Sequence, residues 1–148
     1  MRDALLTAFE ADLGRLMAEL DKFSDESKLW VDNPAVPNSP GNLLLHLMGN
    51  LNHYIGAKLG DSGYVRDRPL EFSSGAVPLA EMKQRLEATR DVVLTSLNGL
   101  ADEDLTRDYP ADPGDEVRTV GAEMVRILSH LNYHLGQINY HRRLTAGS

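Results

Sequence analysis

Four stretches of this chain carry apolar residues at alternating three- and four-residue spacing, and segments rich in proline and glycine separate them. Such a pattern specifies long amphipathic helices that bury one stripe each, and it carries no sustained strand signal. The first stretch covers residues 2–23, with Leu5, Phe9, Leu13, Leu16, Leu20 and Phe23 on one face. The second opens at Ser39 and Pro40 and runs to about Leu59, ahead of Gly60. Serine caps free N–H groups there, and proline at the first helical position gives up a donor that has no partner. The third opens at Pro78 and carries Leu79, Met82, Leu86, Thr89, Val93, Leu97 and Leu100, ending near Asn98 and Gly99. The fourth is capped by Thr119 and reaches about Leu144.

The connections read as irregular. Residues 24–39 hold Asn33, Pro34, Pro37 and Asn38, with Trp30 expected to pack back on the bundle. Residues 61–77 hold Gly63, Pro69, Ser73, Ser74 and Gly75, and read as a loop covering one end, with a brief extended stretch over 64–72. Residues 100–118 contain the acidic turn Asp102, Glu103, Asp104 and a breaker cluster from Pro110 to Gly114. With 148 residues and 42% hydrophobic side chains, the chain reads as one domain over residues 1–148. The expected architecture is all-α, a four-helix up-down-up-down bundle.

Charge and composition exclude several functions. Lysine and arginine number 15 against 22 acidic residues, a formal charge of -7, and the longest basic run is Arg142-Arg143, so nucleic acid is not an expected partner. No apolar run approaches the roughly 20 residues that cross a bilayer, and the N-terminus lacks a signal peptide's apolar segment, so a soluble, cytoplasmic protein without a membrane partner is expected. With no cysteine there is no disulfide, thiolate ligand or cysteine nucleophile. Serine-hydrolase elbows, phosphate-binding glycine loops and dinucleotide fingerprints are absent from the sequence. Asp102, Glu103, Asp104 and Asp112, Asp115, Glu116 lack the spacing of a calcium loop and read as solvated turns.

Histidine interrupts the apolar rows. In the fourth helix the expected core row is Val120, Met124, Ile127, Leu131, His134, Ile138 and His141, with His130 one turn before His134. Positions four apart differ by about 40° and about 6 Å, so both rings can reach one ion, although such a pair taken alone is more commonly incidental. The second helix carries Leu43, His46, Asn50, His53 and Ala57 at the same spacing among leucines. A polar stripe of this kind needs a hydrogen-bonded network, an ion or a wet pocket if it is buried. Three imidazoles half-fill the shell of a divalent ion such as zinc, nickel, iron or manganese and leave positions for water or substrate.

The segment Gly41-Asn42-Leu43-Leu44-Leu45-His46-Leu47 and the segment His130-Leu131-Asn132-Tyr133-His134-Leu135-Gly136-Gln137 resemble the DinB-like superfamily. That group also contains YfiT-type metal-dependent hydrolases and transferases that use bacillithiol or mycothiol. The resemblance covers nearly the whole chain as a helical layout and implies that His46, His130 and His134 take the metal-ligand positions, with the second and fourth helices side by side. Many members have arginine directly after the last ligand, where this chain has Leu135.

His53 and His141 lie seven residues beyond His46 and His134, about 10.5 Å further along each helix, too far to share the first ion. Parallel second and fourth helices would bring them level as a second polar layer; hydrogen-bonded core or rim positions are the plainer reading. Asn50 and Gln137 are placed to orient a ligand ring or a bound water, or simply to join helices. Tyr54, Tyr133, Tyr140 and Trp30 suit either a pocket mouth or ordinary packing. Two functions are expected. One is an enzyme, a thiol S-transferase or hydrolase type, in which the ion activates water or an external low-molecular-weight thiol for a small-molecule substrate. The other is a non-catalytic metal-binding, stress-response or helical interaction protein. Pairing into a homodimer is also expected.

Overall fold

The computed structural model describes residues 1–145, and every regular element in them is helical; the extended backbone amounts to isolated bridges at Asn33 with Val36 and Asp108 with Thr119. Helix α1 is Arg2–Asp21, and its apolar row from Leu5 to Leu20 is buried. A short 3-10 turn, Glu26–Trp30, comes next, and the Trp30 ring lies against Gly41, where a Cβ would come within 2.6 Å of it.

Helix α2 starts as Pro40–Leu51, with Ser39 Oγ accepting from the Asn42 N–H at 3.2 Å. It passes through a π-helical stretch, Asn52–Ala57, and ends as Lys58–Gly60. At the start of that stretch the Asn52 side chain donates to the Met48 carbonyl at 2.9 Å and to Thr89 Oγ1 at 2.9 Å. The widened turn shifts the helical register from Asn52 onward, so His53 and Ala57 do not continue one α-helical line from His46.

The connection expected as loop contains a helix, α3, Arg68–Ser73. Its signature is that of α2: Asp67 Oδ1 accepts from the Leu70 N–H at 3.1 Å, and Pro69 stands in the first turn. An alternating reading of 64–72 missed it because its turns bury little apolar surface; Glu71 is its buried residue. Helix α4 is Leu79–Asn98, and α5 is Val120–Thr145, where Thr119 Oγ1 accepts from the Ala122 N–H at 3.2 Å.

Cross-helix pairs fix the directions. Arg2 meets Asn98 and Lys83 meets Asp21, so α1 and α4 are antiparallel. Asp12 meets Asn132 and Glu19 meets Asn139, so α1 and α5 run together. Asn52 meets Thr89 and Gly60 approaches Ser96, so α2 and α4 also run together. The order of the four long helices is therefore up-down-down-up, which corrects the up-down-up-down expectation. The physical reason is the 61–77 connection. Alternation assumes short hairpins, whereas this part-extended strap is long enough to climb back along α2 before α4 begins.

One apolar core joins the long helices, with Phe9, Leu13, Leu16, Leu47, Leu51, Met82, Ile127 and Leu131 fully enclosed. In α5 the buried row passes through Leu135. His134, expected in that row, sits half-buried beside it, because the α5 face toward α2 is a separate, polar one.

Candidate metal centre

The second turn of α2 and the middle of α5 bring three imidazoles together. His46 Nε2 lies 3.1 Å from His130 Nε2, which lies 3.1 Å from His134 Nε2, and the candidate ligand atoms all fall within 4.8 Å of one another. The rings meet edge to face, with centroids 4.5 to 5.1 Å apart. His46 is buried, and His130 and His134 are half-buried.

The remaining ring nitrogens set the proton inventory. His46 Nδ1 is 2.9 Å from Glu71 Oε1, an acceptor, so this nitrogen carries the hydrogen and Nε2 is left with a lone pair. His134 Nδ1 is 2.6 Å from Gln137 Oε1, which has the same consequence. His130 Nδ1 is buried without a partner. At most one of the three facing Nε2 atoms then carries a hydrogen, and the cluster is rich in lone pairs. Burial pulls His46 below the ordinary imidazole range, against the raising effect of Glu71. Burial and then the neighbouring His134 and His46 bring His130 down to about 4. Imidazole nitrogens with converging lone pairs are what a divalent cation requires.

Glu71 is the residue that sequence reasoning missed. It is buried, and Arg66 binds it in a fork, Nε to Oε2 at 2.9 Å and Nη2 to Oε1 at 2.9 Å. The carboxylate passes so close to α2 that a Cβ on Gly49 would come within 1.8 Å of Oε2. Carboxylate on imidazole is the common arrangement behind metal-binding histidines. The Asp67–Pro69 helix start was readable, but nothing in the periodicity aims Glu71 at His46.

Other singled-out residues divide. Gln137 holds a candidate ligand ring, as one of its two readings proposed, and Tyr133 stacks edge-on against His134 at 5.2 Å. Asn50 is buried with Oδ1 unpartnered one turn beyond His46. Tyr54 lies under two guanidinium groups, Arg126 at 5.2 Å and Arg66 at 5.9 Å. Tyr140 is exposed. His53 pairs with Asp112 at 2.7 Å, and Lys58 pairs with the same carboxylate, so Asp112 is not a free solvated turn residue. His141 lies near Thr145, with Oγ1 at 3.2 Å from Nδ1. Because α2 and α5 are antiparallel, His53 and His141 occupy opposite ends of the bundle and form no shared polar layer.

No described helix is long and apolar enough to cross a membrane. The family model of the DinB superfamily matches residues 8–138. No curated protein matches the chain. The match covers most of the sequence, and the chain belongs to the DinB superfamily.

Proposed function

We propose that this DinB-superfamily chain is a metal-dependent enzyme whose His46, His130 and His134 hold a divalent transition metal. The observation that carries the reading is the convergence of three imidazole Nε2 atoms, two of the rings held by Glu71 and Gln137, with no fourth His, Asp or Glu in the group among the described residues. Three side-chain ligands and half-buried rings suit a centre that keeps positions for a reactant. Such an ion supplies a lowered pKa to bound water or to an incoming thiol, giving a nucleophile at neutral pH. A chain without cysteine uses that chemistry on water or on an external low-molecular-weight thiol such as bacillithiol or mycothiol, as a hydrolase or thiol S-transferase acting on a small molecule.

The chain's own residues have definite tasks in this scheme. Glu71 keeps the proton of His46 on Nδ1, Arg66 keeps the carboxylate in place, and Gln137 does for His134 what Glu71 does for His46. Phe72, with its ring 5.2 Å from that of His46, and Tyr133 flank the centre with apolar surface. A cytoplasmic setting and a homodimer belong to the same reading. The test is elemental analysis of untagged, chelator-free protein beside a His46→Ala/His134→Ala variant, followed by thiol-conjugation and hydrolysis assays against His134→Ala. About one equivalent of metal in the parent alone, with turnover above the variant, supports it; equal metal content in both removes it.

A non-catalytic role is favoured by one observation. The cluster joins α2, α5 and, through Glu71, the strap, so an ion there ties three elements together. A metal-loaded protein without turnover selects this reading.

A further inference from the structure

One cavity lies away from the three Nε2 atoms. It has a volume of about 390 Å³ and lies on the other side of Glu71, between α2, the strap and α4. Its apolar walls are Leu45 and Met48 from α2, Val65 and Leu70 from the strap, and Ala88 and Val92 from α4. The size falls within the range of small-molecule sites. Val65 and Leu70 are 87% and 52% exposed, so the strap presents apolar side chains to water at the rim. These are among the apolar groups that an occupant would cover.

The polar groups of the wall say what the occupant is not. Glu71 is neutralised by Arg66, and Arg85 is paired with Glu81. Asp67 is occupied in capping α3, while Thr89 Oγ1 donates to the Arg85 carbonyl and accepts from Asn52. Glu71 and Arg85 already have counterions, and Asp67, which has no ion pair among the described residues, is exposed at the rim, so a charged group seated within the cavity would have to break an existing pair. Tyr64, at the rim, supplies a phenol that makes no hydrogen bond among the described residues. We infer that this cavity is a binding site for a neutral, predominantly apolar small molecule, with Tyr64 available to one hydrogen-bond acceptor. The His46 ring, Nδ1 toward Glu71 and Nε2 toward the other histidines, stands between this site and the reacting positions of the proposed metal centre. The occupant is therefore held beside the centre, against Glu71. The site is independent of whether a metal binds, because none of its walls is one of the three histidines.

The test is a titration of the protein with the neutral fluorophore N-phenyl-1-naphthylamine, read by emission enhancement and blue shift. Two substitutions at exposed wall positions avoid the core: Ala88→Phe fills the cavity and Val65→Asp places a charge at its rim. Tyr140→Ser, on the exposed face of α5 away from the cavity, is the control. The expected result is saturable one-to-one binding, weakened tenfold or more by each wall variant and unchanged by the control. Absence of saturable binding, or equal binding by parent and both wall variants, overturns the assignment.

Discussion

At the scale of single residues, the pair Glu71 and His46 carries the most consequence. A neutral imidazole presents one lone pair, and the hydrogen bond at Nδ1 decides that Nε2 presents it. Glu71→Gln removes the charge, leaves the half-buried Arg66 without its counterion, and weakens the hold on the ring. Cobalt titration followed by its visible absorption should show affinity about 10- to 100-fold lower than that of the parent; unchanged affinity would mean that the carboxylate does not hold the ring. His130 makes a second prediction, for the metal-free protein. Its folded pKa of about 4 lies below the ordinary 6.5, so the unfolded chain takes up the proton first. The folded state loses nothing above pH 6.5 and is penalised progressively as pH falls from 6.5 to 4. Urea unfolding across that window should show falling stability in the parent and a shallower fall in His130→Phe; parallel curves would remove His130 as the cause. These histidines were legible because polar residues interrupted leucine-rich rows. Glu71 was not, because it comes from a short helix in a connection, where no period exists to be broken.

At the scale of elements, the strap shows how a contact between chain segments determines a residue type. Gly49 faces it from α2, and the Glu71 carboxylate occupies the space a side chain would take. Gly49→Ala improves helix propensity by about 1 kcal/mol in isolation. Here the added Cβ collides with a carboxylate held at both oxygens, so overpacking costs on the order of 1–3 kcal/mol and the net sign is destabilising. Guanidinium unfolding should therefore give a lower midpoint for Gly49→Ala, whereas Gly136→Ala on α5, with no atom within 4 Å of its added Cβ, should be neutral or slightly stabilising. A higher midpoint for Gly49→Ala would show that the strap yields easily. The long helices were readable from their apolar rows and from Ser39, Pro40 and Thr119 at their starts. Their directions were not, since periodicity within a helix carries no information on which way its neighbour runs. The antiparallel match of α2 with α5 rests on Tyr54 meeting Arg126 while His46 meets His130, contacts between side chains far apart in sequence.

At the scale of the whole molecule, the core and the histidine cluster are separate structures that share two helices. Leu47, Leu51, Ile127 and Leu131 face the common apolar interior, while His46, His130 and His134 line the adjoining polar face of the same segments. Folding therefore does not wait for an ion, and chelator-treated protein should still melt in one cooperative transition. An ion that binds only the assembled cluster adds RT ln(1 + [L]/Kd), about 2.7 kcal/mol at a concentration 100-fold above Kd. For a chain of this size each kcal/mol moves the midpoint by about 2–4 °C, so reloading should raise the Tm by about 5–10 °C. The rise should grow with the logarithm of metal concentration and vanish in His46→Ala/His134→Ala. An equal rise in that variant would assign the stabilisation to ions bound elsewhere on an acidic surface. A metal-free chain that fails to fold would instead join the core and the cluster into one unit, because the polar face of α2 and α5 would then be too costly to bury without its ion.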